Sequence, residues 1–192
     1  MAELRVRPLD TTTWPDFAAL VERNNSVWGG CWCMGFHSEG VGKGHTAEGN
    51  RRAKEQRVRE GRAHAALVFD GADCVGWCQF GPTNELPRIK HRRVYEVGLT
   101  TLPDWRITCF YVDRGRRKAG VAAAALDGAL AEIGRLGGGT VESYPEDIAG
   151  RAVSSSFLHN GALSIFEARG FVRDRRIGKH HWVVTKVVPP SP

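Results

Sequence analysis

The chain has 192 residues, 42% of them hydrophobic and 25% charged, with a net charge of +6 and a pI near 9.3. That length supports one domain with a full core and leaves too little for two, and no apolar run approaches the ~20 residues that span a bilayer. A basic balance suits a polyanion, whether nucleic acid, a membrane surface or a phosphate-bearing cofactor, without choosing among them.

The N-terminus, Met1-Ala2-Glu3-Leu4-Arg5-Val6-Arg7, has no apolar signal-peptide centre, so the cytoplasm is the expected compartment. Five cysteines, at 31, 33, 74, 78 and 109, are an odd number without a secretion signal. Free thiols are expected rather than a disulfide framework. A single domain over residues 1–188 and a disordered tail over 189–192, Pro-Pro-Ser-Pro, are expected.

In chain order, Leu4 to Leu9 alternates apolar and basic residues and reads as a short strand. Trp14-Pro15 opens a helix with Phe17, Leu20 and Val21 on one face. Asn24 to Gly44, with Trp28, Trp32, Met34, Phe36 and many glycines, has no period and reads as a loop. Cys31, Cys33 and His37 lie in it, but no second ligand pair supports a metal. Core packing and a substrate-pocket wall stay open for this loop, and it has the make-up of a pocket lid. Thr46 caps a very charged helix to Arg62, read as a solvated face.

Ala63 to Phe69 and Asp73 to Phe80 read as strands around the turn Asp70-Gly71-Ala72-Asp73. Pro87 to Tyr95 gathers Arg88, Lys90, Arg92 and Arg93, and the bland reading is a solvated basic loop. No zinc finger, RNP-type aromatic pattern or helix-turn-helix signal points to nucleic acid.

Ile107 to Ile133 carries the most information. A buried strand, Ile-Thr-Cys-Phe-Tyr-Val, runs into the basic turn Asp113-Arg114-Gly115-Arg116-Arg117-Lys118-Ala119-Gly120 and then a slim Ala/Leu-rich helix. Unpaired N–H groups at a helix start, aided by the helix dipole, suit a phosphate. Gly120 lets backbone approach that anion closely, and Ala122, Leu126, Ala129, Leu130 and Ile133 form the buried stripe. The turn lacks the Lys-Ser/Thr pair of a P-loop and the G-x-G-x-x-G of a dinucleotide fold. Further on come a strand at Thr140 to Tyr144, a short helix from Ala162 to Arg169 capped by Gly170, and strands at Phe171 to Arg176 and His181 to Val188.

Val112 followed by Arg117-x-x-Gly120-x-Ala122 and an amphipathic helix resembles the acyl-CoA pyrophosphate loop of GNAT-type N-acetyltransferases. Ile165-Phe166-Glu167-Ala168-Arg169-Gly170-Phe171 resembles that family's second signature. The resemblance spans Leu4 to Val188. It implies an α/β fold with a mixed, mostly antiparallel sheet of about seven strands, helices on both faces, and a splay between the two central strands.

The resemblance further implies acetyl-CoA as acyl donor, no metal, and direct attack by a neutral primary amine of a small molecule or peptide. A base, an oxyanion donor and an acid or water are needed. Phe110, Tyr111 and Val112 are then expected along pantetheine. Arg117, Lys118, Ala119, Gly120, Val121 and Ala122 are expected around the pyrophosphate, and Asn160 near pantetheine. Arg114, Arg116 and Lys118 add charge for the nucleotide's 3′-phosphate or form an ordinary basic turn. Phe166 stands where the family often has a tyrosine acid. Glu142, Tyr144 and His159 are the catalytic candidates, beside Glu96, with histidine unperturbed near ~6.5. No nucleic-acid or membrane partner is expected, and a homodimer is the family-level expectation. An alternative is a catalytically reduced acyl-CoA-binding sensor or partner subunit.

Overall fold

The computed structural model describes residues 3–25 and 27–191, without the side chains at 155 and 156. Pro192, the end of the expected tail, lies outside the described residues, as do Met1 and Ala2 at the start of the expected domain.

The elements run β1 (Leu4–Pro8), α1 (Trp14–Arg23), α2 (Val27–Gly30), α3 (Ala47–Arg59), β2 (His64–Asp70), β3 (Asp73–Pro82), α4 (Arg92–Glu96), β4 (Trp105–Val112), α5 (Val121–Arg135), β5 (Gly139–Ser143), α6 (Leu163–Glu167), β6 (Val172–Arg176) and β7 (Trp182–Val188). Short 3-10 turns lie at Met34–Phe36, Arg114–Arg116 and Ser155–Asn160. The strands form one seven-stranded sheet in the order β1-β2-β3-β4-β5-β7-β6. Among the strand pairs of the described residues β4 and β5 are parallel, the connection that α5 makes possible as a crossover, and the other pairs are antiparallel. The expected mixed sheet, mostly antiparallel and splayed at its centre, is what forms.

Alternation along each strand divides the core between the two faces. One face packs Trp14, Phe17, Leu20, Trp32, Cys33, Met34, Trp77 and Tyr111 under α1 and the 24–44 loop. The other packs Phe110, Val121, Leu126, Ala129, Ile133, Val141, Phe166 and Val184 under α5 and α6. A smaller cluster of Tyr95, Tyr144, Ile177 and Val183 closes the end near β6 and β7. Within the expected stripe of α5, Leu126, Ala129 and Ile133 are buried, while Ala122 and Leu130 are half-buried. Close seating of α5 depends on Gly76, where a Cβ would lie 2.6 Å from Val121 Cγ1 and 2.7 Å from the Tyr111 carbonyl.

Two readings of single segments change. Thr46 does cap α3, accepting from the Gly49 N–H at 3.0 Å. Glu48, Arg52, Gln56 and Arg59 form the expected solvated face, but Asn50, Lys54, Arg57 and Val58 are buried at helical spacing on the other, so polar side chains also point inward. The centre of the 24–44 loop is core, because Trp32, Cys33 and Met34 are buried, and its start reaches the surface cleft below. At the other end, the Ser191 N–H donates to the Gly134 carbonyl at 2.9 Å.

Candidate functional site

The sheet opens at its middle because β4 and β5 share only three register pairs, Trp105↔Val141, Arg106↔Glu142 and Ile107↔Ser143. A β-bulge sets the limit. Gln79 of β3 faces Cys109 while its neighbour Phe80 faces Ile107, which leaves Thr108 as the extra residue. Bulges bend a strand and increase its local twist, so β4 turns away from β5 from this point. Side chains satisfy the carbonyls that lose ladder partners: Ser143 Oγ donates to Ile107 O at 2.9 Å, and Asn160 Nδ2 donates to Thr108 O at 2.7 Å.

Beyond Thr108 the free edge of β4 faces a cleft of about 720 Å³. Its walls include Phe110, Tyr111 and Val112 of β4, Arg117, Lys118, Gly120, Val121 and Ala122 at the start of α5, Ala162 and Ile165 around α6, and Trp28 and Leu158. Ala119 and Asn160 are absent from these walls. Asn160 is 3% exposed and spends its amide on β4, so it fixes the splay from behind.

The turn into α5 is built for an anion. Asp113 accepts from the Gly115 N–H at 3.2 Å and pairs with Arg23 at 3.2 Å. Burial pushes the Asp113 carboxyl up, but the Gly115 amide, Asn24 and Arg23 together hold it below its ordinary value. Lys118 and Gly120 take left-handed conformations, φ +62° and +79°, and among the described residues nothing lies within 4 Å of a Cβ built on Gly120. The first bond inside α5 runs from Ala124 N–H to Gly120 O at 2.9 Å, so the amides of Val121 to Ala123 point out of the helix start. Arg116 is tied to Asp70 at 3.1 Å. Among the ion pairs of the described residues, none uses Arg114, Arg117 or Lys118. Free amides, a helix dipole and cations outside those ion pairs at one end, with apolar walls beyond, fit a phosphate-bearing ligand with a long, mostly uncharged arm.

No family model and no curated protein matches this sequence. Solved structures do match. An acetyltransferase from Thermus thermophilus superposes with a TM-score of 0.54 at 15% identity, over 97% of this chain and 99% of that one. A Desulfovibrio desulfuricans protein assigned to the GNAT acetyltransferase family gives 0.54 at 15% identity, over 97% and 99%. The Salmonella typhimurium protein yncA, solved with acetyl-CoA as its cofactor, gives 0.54 at 14% identity, over 96% and 94%. The chain has the GNAT acetyltransferase fold.

Within that GNAT fold the three catalytic candidates separate. Glu142 and Tyr144 come together, the Tyr144 hydroxyl donating to Glu142 at 2.5 Å, but neither lines the cleft. They sit at 3% and 2% exposure beside Tyr95 and Arg106, whose guanidinium also donates to the Leu86 carbonyl at 2.8 Å and to Tyr95 Oη at 3.1 Å. Burial raises Glu142 above its ordinary value, against hydrogen bonds from Tyr144 and Tyr95. Burial and the neighbouring Glu142 push Tyr144 well up. His159 instead packs edge-on against Trp28, ring centroids 6.2 Å apart, and Trp28 is a cleft wall. Glu96 is exposed and paired with Arg92 at 2.7 Å.

Phe166 is fully buried, edge-on to Phe110 at 5.8 Å and to Phe171 at 5.1 Å. Cys31, Cys33 and His37 do not converge: Cys33 meets Cys109 and His37 meets Lys54. No helix among the described residues is long and apolar enough to cross a membrane. Asn24 and Trp28 come from the loop that the sequence left open as a pocket wall, whereas Leu158 and Ala162, in the connection between β5 and α6, were missed as cleft walls, since only the fold brings that connection to β4.

Proposed function

We propose that this chain is an acyl-CoA-dependent N-acyltransferase that moves acetyl from acetyl-CoA to a primary amine by direct attack. The observation that carries the reading is the start of α5. There Gly120 leaves open space, the Val121 to Ala123 amides point outward, and Arg114, Arg117 and Lys118 enter no ion pair among the described residues. The amides from Arg117 to Ala122 cradle the pyrophosphate, and Arg114 and Lys118 meet the 3′-phosphate. The free edge of β4 at Phe110 to Val112 holds the pantetheine arm as an added strand would be held.

Acetyl-CoA supplies an acyl carbonyl activated as a thioester. The free edge of β4 past Thr108 offers N–H groups to the oxygen on which negative charge grows. His159, next to the Trp28 wall, takes the proton from the amine and returns it to the departing thiolate. Phe166 can do neither, and Tyr144 is committed to Glu142, so this pair positions β5. The Trp28 side of the 24–44 loop and the 81–95 loop shape the acceptor side.

Acetyl-CoA is expected to raise the melting temperature of the wild type and not of Gly120→Glu, whose side chain puts bulk and negative charge in the cradle. An equal response of both proteins, or of neither, sinks the cradle. His159→Gln is expected to keep the thermal shift while lowering thiol release with a reactive amine by about 10²-fold or more.

A second reading, an acyl-CoA-binding sensor or partner subunit, is favoured by the absence of a hydroxyl at Phe166 and the diversion of Tyr144. A thermal shift with no thiol release across a panel of amines would establish it in place of the enzyme.

A further inference from the structure

Beneath the 24–44 loop lies a buried cluster that the acyl-transfer reading does not use. Cys33, at the loop's centre, and Cys109, of β4, bring their Sγ atoms to 3.1 Å, with 2% and 3% of each residue exposed. The Trp77 indole N–H donates to Cys33 Sγ at 3.1 Å. Lys54 of α3, 1% exposed, donates to Gln79 Oε1 at 2.6 Å and to His37 Nε2 at 3.2 Å. Among the ion pairs of the described residues Lys54 has no carboxylate; burial lowers it below its ordinary value, against the opposing pull of Cys33, Cys109 and Cys31. Burial alone raises a thiol, yet at Cys33 the Cys109 S–H, the Lys54 ammonium and the Trp77 N–H outweigh it and hold this thiol below its ordinary value. Cys109 moves the other way, pushed well up by its bond to Cys33 and by burial. Cys74 and Cys78 are raised chiefly by burial, which at Cys74 outweighs the Gly76 backbone contact and Arg23.

We propose that Cys33 and Cys109 form a peroxide-responsive oxidation site, with Cys33 as the attacking sulfur and Cys109 as the resolving one. A Cys33 thiolate attacks one oxygen of hydrogen peroxide, breaking the O–O bond, releasing hydroxide and leaving a sulfenic acid. The Cys109 sulfur then attacks that sulfur, its proton leaves with the sulfenic hydroxyl as water, and an S–S bond forms. In sum two thiols lose two electrons and two protons, and one peroxide becomes two waters. Closing from 3.1 Å to a disulfide near 2.05 Å asks for about 1 Å of movement. The bond would clamp the loop bearing Trp28 onto β4 one residue before Phe110, which ties two walls of the cleft together.

The test treats the native full-length protein with hydrogen peroxide, then alkylates under denaturing conditions. The alkylated thiols are expected to fall from five to three, with recovery after reduction. A proteolytic map is expected to join the Cys33 peptide to the Cys109 peptide, fragmentation between residues 31 and 33 separating Cys31 from Cys33. Cys78→Ser is expected to keep the link and Cys109→Ser to lose it. Lys54→Gln is expected to slow its formation by about tenfold or more, as loss of a cation beside a thiolate does. Five thiols remaining after peroxide, a link through Cys31 or Cys78, or only overoxidised Cys31 would overturn the site. Should Cys109→Ser not fold, the wild-type map decides. An unchanged rate in Lys54→Gln would overturn the part given to Lys54.

Discussion

Lys54 Nζ donates to His37 Nε2 across 3.2 Å, so the ring must carry its single proton on Nδ1, which donates to the Glu85 carbonyl at 3.0 Å. His37 is thus locked neutral. Burial chiefly, then Lys54 and Arg57, depress its pKa from 6.5 to about 2. Between those values the unfolded chain binds a proton that the folded chain refuses. Stability is therefore fully present above pH 6.5 and is lost as pH falls through this window, at up to about 1.4 kcal/mol per pH unit. Urea unfolding of wild type and His37→Gln at pH 7 and pH 5 checks this. The wild type is expected to lose about 2 kcal/mol more than the variant, and parallel losses would mean that the ring is not held neutral.

That buried polar cluster also marks where the sequence was hard to read. β4, the basic turn and α5 were legible because strand pattern, Gly120 and an Ala/Leu stripe are local signals. So was the Gly170 turn after α6, with φ +76°. Lys54 and Arg57 on a helix dense in charge look like solvent-facing residues, since burial of a lysine depends on partners such as Gln79 and His37 that arrive from distant elements. The bulge at Thr108 was equally hidden, because it is a property of how β3 and β4 pair and no residue announces it. The bond from Asn160 Nδ2 to the Thr108 carbonyl was hidden for the same reason, because it exists only once the splay leaves that carbonyl exposed.

The cations of the α5 turn are expected to be unequal. All four line the cleft, but Arg116 is paired with Asp70, whereas Arg114, Arg117 and Lys118 stand outside the ion pairs of the described residues. A charge-assisted hydrogen bond contributes about 1.5–3 kcal/mol. Arg117→Ala is expected to weaken CoA binding by about tenfold or more, and Arg116→Ala by less than about threefold. For the residue that meets the 3′-phosphate, the loss is expected to shrink with dephospho-CoA. Calorimetric titration of each variant with both ligands measures this, and equal effects at 116 and 117 would contradict the assignment.

Gly76 is the contact on which α5 is seated. A methyl there meets Val121 Cγ1 at 2.6 Å and the Tyr111 carbonyl at 2.7 Å, and backbone on one side cannot yield as a side chain can. Gly76→Ala is expected to destabilise the fold by about 1–3 kcal/mol through overpacking. Because it displaces the start of α5 from β4, it should also weaken the acetyl-CoA thermal shift. Gly71→Ala, at an open turn with φ +63°, carries backbone strain but no such collision. It is expected to leave the ligand response intact, and thermal melts with and without acetyl-CoA compare the two.

Tyr144 and Glu142 supply the last prediction. Their 2.5 Å hydrogen bond is buried, and Tyr95 and Arg106 stand next to it. Burial raises the folded pKa of Glu142 above its unfolded value near 4.5. Its neutral form is therefore favoured in the fold, and the stability this gives is present below pH 4.5 and lost as pH rises through the folded pKa. Tyr144→Phe removes a donor to the carboxylate, so its cost, about 1.5–3 kcal/mol where Glu142 is ionised, is expected to shrink as pH falls and Glu142 takes up its proton. In a Glu142→Gln background the same substitution is expected to cost less at pH 7.5 and to lose its pH dependence, a coupling that a double-mutant cycle isolates. If Tyr144→Phe instead lowered turnover sharply while leaving stability and its pH profile untouched, Tyr144 would belong to the chemistry and not to the scaffold of β5.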